Sequence, residues 1–307
     1  MVFFEALIVI FGLILFEIVN SVDNAIINAH VLKTMSEKWR KRFLFIGFAT
    51  SVFLVRLVLP LVIVWIIVPN VAFGEIAKIF TGNSLVAAEA IEEAKHLILI
   101  FGGVFLLLLY FHWLFMEKKH PLFPHEKFLK EHHDVWFFAF ASIILVFLLY
   151  LARADSSMML FAALGSAIFF IVYGFKETAE KKEETLMRKH LPDASKFLYL
   201  EVLDATFSFD GVVGAFAFTT NLLYIFLGLG IGAIVLRQLT IMGIDKIQKY
   251  IWLKNGAMTA IGFLGVFMIL ESFGLELPTY LPTLVTSAIV AYAFYKSHRH
   301  LKLSLGI

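Results

Sequence analysis

The sequence of 307 residues contains no cysteine. This absence excludes thiol catalysis, zinc–thiolate centres, iron–sulfur clusters and disulfide bonds. Charged residues are also scarce, because they make up 16% of the chain against about 25% in an average soluble protein. The net charge is only +2, and the chain has no phosphate-binding loop of the GxxxxGK type. The sequence therefore indicates neither nucleic-acid nor nucleotide binding.

Hydrophobic residues are in large excess. They form 60% of the sequence, with 34 phenylalanines, and the mean hydropathy is +0.86. A helix that crosses a bilayer needs about 20 mainly apolar residues, and polar segments separate nine stretches of near that length. We therefore predict an all-α polytopic membrane protein with a single transmembrane domain, residues 1–307. The predicted spans cover residues 3–30, 43–68, 97–115, 135–151, 158–175, 197–218, 222–236, 255–275 and 279–295.

The distribution of positive charge predicts the orientation of the chain. Most of the 26 lysine and arginine residues lie after the odd-numbered spans or in the C-terminal tail. Because positively charged loops stay in the cytoplasm, we expect the N-terminus outside and the C-terminus inside. The expected location is a cell membrane, the plasma or inner membrane of a bacterium or archaeon. The expected partners are the lipid bilayer and a transported ion, and the sequence does not indicate an oligomeric state.

Two of the spans carry a group of acidic residues in the same order. An acidic residue, three others, serine, one other and aspartate occur in the first span and again in the sixth. An ionised side chain in hydrocarbon costs several kcal/mol, about 2.5 to 3.5 on insertion scales, so such residues mark a functional site. The pattern comprises Glu17, Ser21 and Asp23 in the first span and Asp204, Ser208 and Asp210 in the sixth.

The predicted orientation makes these two spans run in opposite directions. This is typical of inverted-repeat transporters, in which two broken helices meet near the bilayer midplane. The repeat-like halves are about residues 1–115 and 197–295, and residues 116–196 form intervening spans and cytoplasmic linkers. On a regular helix Asp210 would face away from Asp204. We therefore predict a break in the sixth span at Asp210 and Gly211, which would also free backbone carbonyls as ligands.

The polar residues of these spans offer oxygen atoms without sulfur or histidine. Such ligands suit Mg²⁺, Ca²⁺ or Mn²⁺ better than softer metals. The alternative role for the acids is hydrogen bonding between helices. Arg56 in the second span either neutralises a carboxylate of the empty site or pairs elsewhere. The candidate secondary ligands and gating residues are Asn20, Ser21, Asn28, Glu201, Ser208 and Arg56.

The segments NSVDNAIINAHVLK and LEVLDATFSFDGV resemble the paired signatures of the TerC family of integral membrane proteins. The likeness is to the branch of uncharacterised-domain members with SxDN and FSFDG forms, and it covers about residues 3–295. It implies a metal-ion exporter, chiefly of Mn²⁺, within a superfamily that includes lysine exporters. Many members have serine after the second aspartate, where this chain has Gly211. The residues implied to bind the ion are Glu17, Asp23, Asn24, Asp204 and Asp210.

The sequence thus predicts a secondary transporter, and not an enzyme, that exports divalent metal ions by alternating access. Mn²⁺ is the expected substrate, with no cofactor beyond the transported cation, and the outward direction comes from the resemblance alone. One alternative is an exporter of lysine-like organic cations, since an ammonium group would bind the same carboxylates. Another is a membrane assembly factor whose polar spans bind partner helices. An intramembrane aspartyl protease is disfavoured because its GxGD signature is missing.

Overall fold

The computed structural model describes residues 2–47, 49–81, 84–117, 119–124, 126, 135–188, 192–247 and 249–305. All regular elements within these residues are helices, which confirms the all-α class. Two π-helical segments, Phe43–Gly47 and Thr50–Val58, lie between the third and fourth α-helices. The α-helices are α1 Val2–Asn20, α2 Val22–Lys33, α3 Glu37–Arg42, α4 Leu59–Ile67, α5 Phe73–Ala77, α6 Leu85–Glu93, α7 Lys95–Met116, α8 Val135–Leu151, α9 Ser156–Arg188, α10 Asp193–Ala215, α11 Leu222–Ile247, α12 Leu253–Ser272 and α13 Leu281–Leu305.

Seven helical stretches in the described part of the chain are long and apolar enough to cross a membrane. They lie over the first five predicted spans, the seventh and the eighth, which confirms a polytopic membrane protein. The sixth and ninth predicted spans are also helical, as α10 and α13, with 23 and 25 residues, but both fall outside this apolar set. The number of nine crossings and the orientation therefore stay predictions.

Helix α7 forms the centre of the bundle. In its most apolar window 78% of the residues are buried, the highest share among the seven stretches. Helix α7 packs along α9 and α12, while α1 packs along α11 and α13. Helices from the two predicted halves of the sequence are therefore interleaved, and residues of both halves surround the polar side chains in the interior.

The first span is interrupted, as predicted for a broken helix, but the sixth is not. Helix α1 ends at Asn20 and α2 begins at Val22, with Ser21 at φ −95° and ψ 6° between them. Helix α10 continues without interruption from Asp193 to Ala215, so the predicted break at Asp210 and Gly211 is wrong. Gly211 serves close packing instead, because a Cβ there would lie 2.8 Å from Glu17 Oε2.

Helices α2 and α10 run antiparallel along a polar seam. Asn24 contacts Asp204, and nearly three turns further, just after the end of α2, Thr34 Oγ1 accepts a hydrogen bond of 3.0 Å from Lys196 Nζ. At the end of the seam Ser36 Oγ donates to Asp193 Oδ2 at 2.5 Å. The hydrogen bonds that the hydroxyl and the backbone N–H of Ser36 donate to Asp193 lower the pKa of this carboxyl. From Asn24 to Ser36 the residue numbers rise on one side of the seam, while those of their partners fall from Asp204 to Asp193. These pairs fix the register in which the two motifs meet.

We predict that Gly165→Ala lowers thermal stability strongly, whereas Gly174→Ala on the same helix does not. A Cβ at Gly165 would overlap the carbonyl oxygen of Phe101 on α7, and a backbone oxygen cannot rotate away. No atom lies within 4 Å of a Cβ at Gly174, so that change only improves helix propensity. Thermal unfolding of both variants in detergent, followed by tryptophan fluorescence, checks this. Equal midpoints would show that α7 and α9 are not closely packed at Gly165.

Candidate functional site

The first acidic residue of the first motif forms a buried ion pair. Glu17 is 1% exposed and Arg56 is 3% exposed. Arg56 Nε donates to Glu17 Oε1 at 3.0 Å, and its Nη2 makes a second contact with the same oxygen. Ser21 Oγ also donates to Glu17 Oε1, at 3.1 Å, so this serine bonds to the carboxylate and not to a backbone carbonyl. Arg56 lies in the second π-helical segment.

The first acidic residue of the second motif lies close to the same arginine. Asn24 Nδ2 donates to Asp204 Oδ1 at 2.5 Å, and Asp204 also attracts Arg56 electrostatically. Arg237 on α11 attracts both Asp204 and Glu201. Glu17 therefore pairs directly with Arg56, and Asp204, which holds the equivalent position in the second motif, is attracted electrostatically by the same arginine.

Several buried oxygens along the seam accept no hydrogen bond from any described residue. The side chains of Asn24, Asn28 and Ser208 are at least nine-tenths buried. Their free atoms are acceptor oxygens, together with one carboxylate oxygen of Glu201, which lies beside Gly47. The seam therefore has spare capacity to accept hydrogen bonds. The unpartnered atoms are Asn24 Oδ1, Asn28 Oδ1, Glu201 Oε1 and Ser208 Oγ.

The second acidic residues of the two motifs, Asp23 and Asp210, line one cavity of about 440 Å³. This cavity lies between α2, α7, α9, α10 and α12, and Asn20 at the end of α1 also lines it. Lys254 Nζ lies 3.0 Å from Asp23 Oδ2 and 2.5 Å from Glu117 Oε2. Lys176 Nζ lies 3.8 Å from Asp210 Oδ2. Each aspartate of the cavity therefore faces a lysine.

The five ligands that the TerC resemblance implies fall into two groups. Asp23 and Asp210 line the cavity, whereas Glu17, Asn24 and Asp204 belong to the network around Arg56 and the seam. Among the described residues, no three aspartate, glutamate or histidine side chains lie close enough to hold one metal ion together. In this conformation the implied ligands do not form a single centre.

The sequence matches the family described as protein of unknown function (DUF475) over residues 22–303. The chain belongs to the DUF475 family. The match contains Asp23, Asn24, Asp204 and Asp210 and begins after Glu17 and Ser21. No curated protein matches the chain, and no solved structure does.

Sequence reasoning missed His112 and three charged residues of the cavity in this DUF475 protein, namely Glu117, Lys176 and Lys254. Glu117 directly follows α7, Lys254 is the second residue of α12, and Lys176 lies within α9 where its apolar stretch ends. The signal was available, because these are charged residues at the boundaries of three predicted spans. Such boundary charges are common on any membrane helix, so only the packing of the helices singles these three out.

We predict that Arg56→Met destabilises the DUF475 protein strongly and that adding Glu17→Gln restores part of the loss. Removing one partner of a buried ion pair leaves the other charge uncompensated and typically costs about 3–5 kcal/mol. In the double variant Glu17 is neutral, so the uncompensated charge of this pair is gone. Asp204 still lacks the attraction of Arg56, and the recovery is therefore partial. Thermal unfolding of the two single variants and the double variant measures the coupling. As a control, Lys41→Gln removes one partner of the exposed Lys41–Glu37 pair and should change little. Additive effects of the two substitutions would contradict the prediction.

Proposed function

We propose that this DUF475 protein is a secondary transporter that exports divalent metal ions, with Mn²⁺ as the expected substrate. One observation carries the proposal. Asp23 and Asp210 hold the same position in the repeated motif, lie far apart in the sequence and line the same cavity. Carboxylates in a membrane interior are costly, and two of them in one cavity favour a cationic substrate.

The chemistry of the cavity suits a hard divalent cation. The two aspartates would balance a charge of +2, and Asn20 and Glu117, which also line the cavity, carry further oxygen donors. Carboxylate and carbonyl oxygens are the ligands that Mg²⁺, Ca²⁺ and Mn²⁺ prefer. The choice of Mn²⁺ among these ions rests on the resemblance to the TerC family.

The predicted orientation is consistent with uptake of the ion from the cytoplasm. Glu117, Lys176 and Lys254 lie at the ends of predicted spans three, five and eight that this orientation places on the cytoplasmic side. The cavity that they share would then be reached from that side, as an exporter requires. Alternating access would close this route and open another towards the outside.

We expect Asp23→Asn and Asp210→Asn each to abolish manganese transport without unfolding the protein. Each substitution removes one of the two negative charges that would balance the ion while keeping the size of the side chain. Manganese flux into proteoliposomes and binding by titration calorimetry measure the effect. The matched control is Glu37→Gln, an exposed acid outside the cavity, which should transport as the wild type does. Full transport by both aspartate variants would contradict the site.

A second candidate, export of lysine-like organic cations, is favoured by the mixed charge of the cavity. A cavity of about 440 Å³ with carboxylates and ammonium groups on its wall can hold a small organic ion with both signs of charge. We expect Mn²⁺ and not lysine to raise the thermal stability of the purified protein, because only a ligand of the native state does so. Stabilisation by lysine that Mn²⁺ does not reproduce would support the organic substrate instead.

A further inference from the structure

Two lysines share the cavity with Asp23 and Asp210. We propose that Lys176 and Lys254 are tethered counter-ions, which neutralise the aspartates when the cavity is empty and which an incoming divalent cation displaces. This inference rests on the proposed function, because it concerns the affinity of the same site. It assigns to the lysines the role of keeping that affinity low enough for release.

Lys254 is positioned to hold two carboxylates from different helices. It extends from α12 to Asp23 on α2 and to Glu117 at the end of α7. The side chain is 41% exposed, so its ammonium group can leave these partners and be hydrated. The two acids carry two negative charges and Lys254 supplies one positive charge. A divalent cation beside Asp23 would therefore repel this ammonium group and compete with it directly.

Lys176 is held less tightly and has a second partner. Its Nζ lies 3.8 Å from Asp210 Oδ2, beyond normal hydrogen-bond distance. The same Nζ lies 4.3 Å from the centre of the Phe207 ring, which also lines the cavity. An ammonium group is attracted to the face of an aromatic ring. Phe207 therefore stabilises the ammonium group of Lys176 beside Asp210. The ring can still attract this ammonium group after a cation has replaced it at the carboxylate.

The charges explain why a transporter benefits from these lysines. Asp23, Glu117 and Asp210 carry three negative charges and the two lysines carry two positive charges, so the empty cavity has a net charge of −1. A divalent cation brings it to +1 if both lysines remain charged. The bound ion is then repelled by two nearby ammonium groups. Conduction and transport require binding that is weak enough for the ion to leave.

The test compares Lys254→Gln and Lys176→Gln with wild type in the full-length protein. We expect each substitution to lower the dissociation constant for Mn²⁺ roughly tenfold, since a factor of ten needs only a small change in Coulomb repulsion. Titration calorimetry in detergent measures binding, and proteoliposomes measure flux. Flux at saturating Mn²⁺ should fall, because the ion leaves more slowly. Lys254→Arg keeps the charge and should bind as weakly as wild type.

The matched control is Lys95→Gln. Lys95 lies 3.9 Å from Glu271 and is 42% exposed, so it resembles Lys254 but lies outside the cavity. Wild-type binding of Mn²⁺ with unchanged or weaker binding by both glutamine variants would overturn the counter-ion role and leave the proposed function standing. Detectable Mn²⁺ binding by a glutamine variant, with none by wild type, would support the counter-ion role. If neither wild type nor variants bind a divalent cation, both proposals are wrong.

Discussion

A carboxylate that enters a membrane interior needs a partner that compensates its charge, and this constraint organises the polar centre of the bundle. Each acid of the two motifs has its partner on a different structural element. Arg56 of a π-helical segment contacts Glu17, and Asn24 of α2 donates to Asp204. Lys254 of α12 and Lys176 of α9 face the aspartates of the cavity. Because an unpaired buried charge is costly, these pairs favour the observed arrangement of the helices around the motifs.

The close approach of the helices depends on glycines that face the motif acids. Helix α10 reaches α1 at Gly211, and α11 reaches it at Gly232, where a Cβ would lie 2.7 Å from Glu17 Cβ. Glu17 is therefore enclosed by two helix surfaces without side chains. Any larger residue at these positions would push the helices apart and admit water or lipid to the ion pair. The glycines thus preserve the burial of Glu17.

The sequence allowed the helical class and most of the apolar spans to be predicted, because these follow from local hydropathy. A break in the first span was expected from the repeated motif, but only the structure places it at Ser21. The sequence also indicated that Asp23 and Asp210 belong together, since they repeat one pattern. The separation of the motif acids into two groups was not predictable. It depends on which face of α10 meets α2 and which faces the cavity, and that is decided by packing. Gly211 was misread as a break because a glycine that permits close contact looks the same in sequence as one that permits unwinding.

The two groups of acids differ in the kind of partner that neutralises them, and under the proposed function this difference divides their roles. The guanidinium of Arg56 stays charged at any physiological pH, and both it and Glu17 are almost completely buried. A cation cannot replace it without leaving an arginine unpaired in the interior. Its charge also acts on Asp204, which disfavours a divalent ion at the seam. The lysines of the cavity are partly exposed, and each has a single ammonium group on a flexible side chain, so this group can move away from its aspartate. Exchange with a divalent cation is therefore favoured at Asp23 and Asp210, while Glu17 and Asp204 anchor the helices that surround them.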